Sequence, residues 1–117
     1  MALTSVLNAE RIAALMELDD GSDFFADLVE MYLEEFEVAR ASIRTALAVD
    51  DPRAVATAAH RVKGSSGNVG ADRMAELCSH LEASATAGDV AGSRGHFSRI
   101  ESHVPELLAA LGKYRSR

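Results

Sequence analysis

The sequence is poor in the residues that build β-sheets and disulfides. It has one cysteine, two prolines, two tyrosines and no tryptophan. Because β-branched and aromatic residues are sparse while Ala, Leu and Glu are abundant, the composition favours helices over strands. A lone cysteine, Cys78, cannot form an internal disulfide, and its place in an apolar pattern predicts a core residue. Nothing therefore requires an oxidising compartment, and we expect a cytoplasmic protein.

The sequence also lacks a targeting segment, a membrane span and net positive charge. Its N-terminus has neither the basic residues nor the apolar run of a signal peptide, and no stretch approaches the roughly 18 apolar residues of a span. The formal net charge of −6 opposes a general affinity for nucleic acid or for an anionic membrane. We expect neither as a partner, and a length of 117 residues predicts a single domain over residues 1–117.

The first two predicted helices differ in length. A short helix runs from Asn8, its cap, to about Leu18. After a turn at residues 19–22, a long helix capped by Asp20 or Ser22 keeps one apolar stripe for about seven turns. The apolar positions are Ile12, Leu15 and Met16 in the first helix and Phe25, Leu28, Tyr32, Phe36, Ala39, Ile43 and Leu47 in the second.

Three further apolar residues recur every seven positions along the edge of this stripe. They are Phe24, Met31 and Val38. They either pack under the first helix or form part of a docking surface, and the pattern favours packing.

The third and fourth helices have clear boundaries. Asp51 caps the third helix and Pro52 occupies its first position, where proline loses no hydrogen bond. At Gly70 the chain either reverses with a positive φ or allows two helix backbones to come close. The fourth helix ends at Gly88. The apolar positions are Val55, Ala58, Ala59, Val62 and Val69 in the third helix and Met74, Leu77, Cys78, Leu81 and Ala85 in the fourth.

A fifth helix follows Asp89, which caps it. Gly92, Gly95 and Pro105 weaken this helix, so we expect a kink near Pro105 or a frayed first turn. Its apolar positions are Val90, Phe97, Ile100, Val104, Leu107, Leu108 and Leu111. Short connections make neighbouring helices antiparallel, which predicts an all-α, up-and-down four-helix bundle with the short first helix across one end.

His60 lies roughly opposite the apolar face of the third helix, so it should face solvent or a partner. Lys63 and Gly64 follow at i+3 and i+4, where helical side chains become neighbours. A glycine inside a helix costs about 1 kcal/mol relative to alanine. At Gly64 this cost is best explained by the close approach of a second macromolecule, whereas Gly67 is explained equally well by its place near the helix end.

These residues suit phosphoryl chemistry. Neutral imidazole is a competent nucleophile at cellular pH, and Lys63 supplies a flexible charge that can follow a phosphoryl group arriving on His60. Because the sequence has no phosphate-binding glycine loop, the phosphoryl group has to come from another protein.

The segment 60–66, His-Arg-Val-Lys-Gly-Ser-Ser, with Gly70-Ala71 after it, closely resembles the signature of histidine-containing phosphotransfer (HPt) domains. The resemblance implies a monomeric carrier that shuttles a phosphoryl group between the aspartates of receiver domains, with His60 as its acceptor and a hybrid histidine kinase as a further partner. It implies no ATP-dependent kinase activity and no cofactor of the chain's own, since magnesium belongs to the receiver in that family.

The same resemblance assigns roles to the neighbours of His60. Lys63 would stabilise the phosphorylated ring, and Gly64 would leave room for the receiver. Ser66 would lie on the buried face, with its hydroxyl bonded to the carbonyl of Val62. Arg53, Thr57 and Gly67 would contribute to partner binding.

Three other interpretations stay open at this point. The bundle could regulate a kinase or a receiver by docking alone, without chemistry. It could bind a metal ion, although Glu76 and His80 form the best pair of ligands and we expect no metal site. The domain could also belong to a larger kinase, although the initial methionine and the lack of further sequence favour a stand-alone protein.

Overall fold

A computed structural model of the chain describes residues 4–18 and 23–115. These residues form five helices and no strand: α1 (Ala9–Glu17), α2 (Phe24–Ala48), α3 (Pro52–Asn68), α4 (Asp72–Thr86) and α5 (Val90–Gly112). The four longer helices form an antiparallel bundle, and α1 lies across the end where α3 turns into α4. The predicted all-α fold is confirmed.

Three of the predicted helix caps are present. The side chains of Asn8, Asp51 and Asp89 each accept a hydrogen bond from a backbone N–H three residues later, at 2.9, 3.2 and 2.9 Å. Each bond satisfies one of the donors that a helix leaves unpaired in its first turn. Helix α2 begins after Asp23, which makes no capping bond, and the caps predicted at Asp20 and Ser22 lie outside the described residues.

Both helix-ending glycines have a left-handed backbone. Gly70 has φ of +80° and Gly88 has φ of +77°, a conformation that glycine adopts without steric cost. Gly70 is also tightly enclosed, because a Cβ there would lie 3.1 Å from Cγ1 of Ile12. The close approach at this turn therefore involves α1, whose Asn8 N–H donates to the Gly70 carbonyl at 2.7 Å.

The buried core agrees with most of the predicted apolar positions, and the differences occur at the edges of the stripes. Met16 and Leu108 are exposed, because apolar side chains cover a wider arc of α1 and α5 than the neighbouring helices bury. Phe24, Met31 and Val38 are exposed as well, so the prediction that they pack under α1 is wrong. Cys78 is buried as expected, and burial raises the pKa of its thiol to about 12.

Helix α5 is continuous from Val90 to Gly112 and passes through Pro105. Its first turn is not frayed, because Asp89 caps it. Among the described residues, no helix combines the length and the apolar character that crossing a membrane requires.

A histidine side chain is enclosed in the core. His103 of α5 is buried, and its Nε2 atom has no hydrogen-bond partner among the described residues. Burial lowers the pKa of His103; Glu106, 3.3 Å from Nδ1, acts in the opposite direction, and the charge of Arg73 adds to the lowering. His103 therefore binds a proton more readily in the unfolded chain than in the folded chain.

We expect the free energy of unfolding to decrease as the pH falls below about 6.5, the ordinary pKa of histidine, with a slope of at most about 1.4 kcal/mol per pH unit. The loss should level off once the pH is below the lowered pKa of folded His103. Urea unfolding followed by circular dichroism between pH 8 and 5 measures this slope. In His103→Gln, which cannot become charged, the slope should be smaller; equal slopes in the two proteins would refute the assignment.

Candidate functional site

Helix α3 divides its residues between the core and the surface. Val55, Ala59, Val62 and Ser66 are buried at intervals of three or four residues. His60 projects from the other side, and 69% of its side chain is exposed. The helix is thus fixed along one face and presents the imidazole along the opposite one, as the sequence predicts.

Ser66 holds α3 against α2. Its hydroxyl lies 2.7 Å from the hydroxyl of Tyr32 in the core, and burial raises the pKa of Tyr32, which therefore stays protonated. The predicted bond from Ser66 to the carbonyl of Val62 is wrong: Ser65 makes that bond, at 3.3 Å. A buried hydroxyl with a partner across the helix interface satisfies both polar groups at once, which explains the different partner.

The His60 ring is held by a carboxylate from the neighbouring helix. Glu82 of α4 places Oε2 2.8 Å from Nδ1 of His60 and Oε1 3.0 Å from Nζ of Lys63. One side chain thus bridges two of the predicted site residues of α3. The Glu82 side chain is 24% exposed, so it is partly enclosed between the helices while the ring it holds stays in solvent.

The charge of Glu82 fixes the direction of its bond to His60. The hydrogen bond from Lys63 lowers the pKa of Glu82, and the bond from His60 lowers it further. An ionised carboxylate can only accept hydrogen bonds, so Nδ1 of His60 must be the donor. In the neutral ring the proton then resides on Nδ1, and Nε2 carries an unshared electron pair.

Glu82 is a candidate site residue that the sequence does not reveal. The apolar stripe of α4 shows which side of that helix is buried, but Glu82 lies beside the stripe and could face either neighbouring helix. Only the packing of α3 against α4 places it opposite His60. The available signal is that Glu82 directly follows the buried Leu81, which puts it near the edge of the helix interface.

The other predicted site residues follow the exposed ridge of α3. Apart from the adjacent residues and the backbone of α3 itself, a Cβ at Gly64 or Gly67 would have no heavy atom within 4 Å, so neither glycine is required by the packing of the described residues. Arg53 and Thr57 are exposed on the same ridge, and the Thr57 hydroxyl donates to the Arg53 carbonyl at 3.0 Å. Within the described part of the chain, no hydrogen bond joins either of them to His60.

The residues considered for a metal site do not converge. Glu76 accepts a hydrogen bond from Thr4, and the His80 ring stacks on His96 with 5.8 Å between ring centroids. Residues 4–18 and 23–115 contain no group of three His, Cys, Asp or Glu side chains placed to hold a metal ion.

Residues 27–113 match the family model of the Hpt domain. The chain belongs to the Hpt domain family. A solved structure of histidine-containing phosphotransfer protein B (HptB) from Pseudomonas aeruginosa PAO1 superimposes with a TM-score of 0.87 and 25% sequence identity, and the match covers 94% of each chain. No curated protein sequence matches the chain. The family and the fold establish histidine phosphotransfer in a phosphorelay as the function, and Hpt proteins act there with receiver domains and histidine kinases.

The Glu82 contact predicts the tautomer of the neutral His60 ring. In water a neutral histidine side chain favours the Nε2–H tautomer, whereas here the neutral His60 ring should carry its proton on Nδ1. Nitrogen-15 chemical shifts from long-range proton–nitrogen spectra at neutral pH distinguish the two forms. Glu82→Ala should shift His60 toward the Nε2–H form, and Glu76→Ala, which removes a carboxylate elsewhere on α4, should not. An Nε2–H tautomer in the unmodified protein would contradict the assignment.

Proposed function

We propose that Nε2 of His60 is the atom that carries the phosphoryl group. The observation that supports this most strongly is the bond between Nδ1 of His60 and the Glu82 carboxylate, 2.8 Å long. It leaves Nε2 as the only nucleophilic nitrogen of an exposed ring, so the nucleophile is oriented before any partner binds.

The proposed transfer needs no proton to move. The Nε2 electron pair attacks the phosphorus of an aspartyl phosphate on a receiver domain. As the N–P bond forms, the bond from phosphorus to the aspartate oxygen breaks, and its electron pair stays on the aspartate carboxylate. The ring becomes a phosphorylated imidazolium, whose positive charge lies beside the Glu82 carboxylate. The reverse steps pass the phosphoryl group to the aspartate of a second receiver.

Lys63 stabilises the phosphoryl group in this proposal. Its ion pair with Glu82 is partly exposed, with 39% of the Lys63 side chain accessible, and such pairs contribute only about 0–1 kcal/mol. The ammonium group can therefore leave Glu82 for the phosphoryl oxygens at little cost. The chain has no cofactor of its own in this scheme, because the magnesium ion and its acidic ligands belong to the receiver, and it acts as a carrier without kinase activity.

The acceptor role of His60 is tested with receiver domains that have been phosphorylated with acetyl phosphate. We expect the protein to gain one acid-labile phosphoryl group by intact mass, and His60→Gln to gain none. ATP and magnesium without a kinase should label neither protein. Retention of the label in His60→Gln would overturn the proposal. Binding to receivers without any transfer to the unmodified protein would support a regulator that acts by docking alone.

Gly64 serves as clearance for the receiver in this proposal. Gly64→Val adds a branched side chain at a position where a Cβ meets no described atom within 4 Å beyond the adjacent residues and the backbone of α3, so the fold should tolerate it. The added atoms should hold the receiver away from His60 and slow transfer by about 10- to 100-fold, because displacements near 1 Å at a reacting centre have effects of this size.

A small donor separates this steric effect from a chemical one. Phosphoramidate, which needs no docking surface, should label His60 in Gly64→Val at the rate of the unmodified protein. Gly95→Val is the matched control, since Gly95 lies on the exposed side of α5 and is equally open. Equal rates of transfer from the receiver for all three proteins would show that Gly64 provides no clearance.

A further inference from the structure

A groove between α2 and α3 runs beside the ridge that carries His60. Its two parts enclose about 530 and 430 Å³, and both are lined by Ser42, Ala58 and Arg61. Because the two parts share these residues, they form one continuous depression. Thr57, one helical turn before His60, lines its second part.

The two ends of this groove carry opposite charges. Glu34 and Glu35 of α2 line one end. Arg53 of α3 lines the other end, and Arg61 lies where the two parts meet. Asp51 also lines the second part, where its Oδ1 atom accepts the capping bond of α3, so two arginines there face one carboxylate. The groove thus presents the carboxylates of α2 at its acidic end and the guanidinium groups of α3 at its basic end.

Within residues 4–18 and 23–115, no ion pair involves Glu34, Glu35, Arg53 or Arg61. Elsewhere in the described chain, five arginines bind carboxylates of the chain itself and two, Arg11 and Arg99, do not; the five are Arg40, Arg44, Arg73, Arg94 and Arg115. The arginines of α3 differ from these because no carboxylate lies within ion-pair distance. Their charge is available to a second protein.

An apolar strip adjoins the acidic end of the groove. Phe24, Met31 and Val38 have 40, 58 and 68% of their surface exposed. Since seven residues make nearly two full turns, the three side chains lie on the same side of α2. Val38 also lines the groove beside Glu34 and Glu35. The groove and the strip together form a surface with an apolar side, an acidic end and a basic end, which we call the docking face.

We infer that this chain selects a receiver domain that binds the docking face in one charge orientation. Acidic side chains of the receiver face Arg53 and Arg61, its apolar patch covers the strip from Phe24 to Val38, and its basic side chains face Glu34 and Glu35. This inference rests on the proposed function, since it specifies the partner that exchanges a phosphoryl group with His60. Charged groups at the edge of an interface mainly set the rate of association and the choice of partner.

The test begins with a panel of receiver domains from the source genome, each phosphorylated with acetyl phosphate. The receiver with the fastest transfer is then used to measure kcat/KM at low and high salt for two double variants of the full chain. Arg53→Glu/Arg61→Glu reverses the basic end, and Glu34→Lys/Glu35→Lys reverses the acidic end. Each should lower kcat/KM by about tenfold at low ionic strength, with a smaller effect at high salt.

The controls are single charge reversals away from the docking face, each with half the change in charge of a double variant. Arg99→Glu on α5 and Glu17→Lys on α1 alter exposed residues that make no ion pair in the described part of the chain, and both should transfer at nearly the unmodified rate. Charge reversal of an acidic residue on the receiver should restore transfer to Arg53→Glu/Arg61→Glu and not to the Glu34→Lys/Glu35→Lys variant.

The outcomes separate this inference from the proposed function. If the two double variants transfer as fast as the unmodified protein, or if the controls slow transfer equally for the same change in charge, the charge orientation is refuted while His60 remains the carrier. If no receiver transfers to the unmodified protein and phosphoramidate labels His60→Gln equally, the proposed function fails first. Phosphoramidate labelling of His60 in every charge variant verifies that the site is intact.

Discussion

The contact between α3 and α4 is the constraint on which the site depends. Buried residues of both helices, including Ala59 and Leu81, fix their distance and their register. That register brings the Glu82 carboxylate within 2.8 Å of the His60 ring. Without this carboxylate, nothing would fix the rotamer and the tautomer of a histidine on an exposed helix face. The packing of the core thus determines which nitrogen of a solvent-exposed ring is nucleophilic.

The two sides of α3 meet opposite requirements. Its buried side needs a firm attachment, which the Ser66–Tyr32 bond and the packed apolar residues supply. Its exposed side needs open space, which Gly64 and Gly67 leave. A glycine inside a helix lowers helix stability by about 1 kcal/mol, so the second requirement opposes the first. The two glycines lie on the face of α3 that no other described helix covers. They therefore leave no cavity in the core, and their cost is limited to backbone entropy.

Much of the fold could be predicted from the sequence, because its signals are local. The caps at Asn8, Asp51 and Asp89 and the turn at Gly70 depend on residues within one or two helical turns. The exposure of His60 follows from helical periodicity in the same way.

What could not be predicted depends on contacts between helices. Periodicity shows that Phe24, Met31 and Val38 share a side of α2, but it does not show whether another helix covers that side. The partner of Ser66 and the position of Glu82 likewise require the register between helices. At each of these positions the sequence determines a direction around one helix axis, and the tertiary packing determines what lies in that direction.

The net negative charge of the chain and the positive charges near His60 have opposite effects on an acidic partner. With 18 acidic and 12 basic residues, the protein repels an acidic partner at long range, and the acidic active site of a receiver is such a partner. At physiological ionic strength the Debye length is about 8 Å, so most of the distant acidic residues are screened at the docking face. At the basic end of that face the nearest cations are Arg53 and Arg61, with Lys63 on the neighbouring side of α3; of these three, only Lys63 has an ion-pair partner among the described residues. An acidic protein can therefore present basic side chains beside the histidine that we propose as its nucleophile. The acidic side chains of α2 then restrict the orientation in which a receiver can bind.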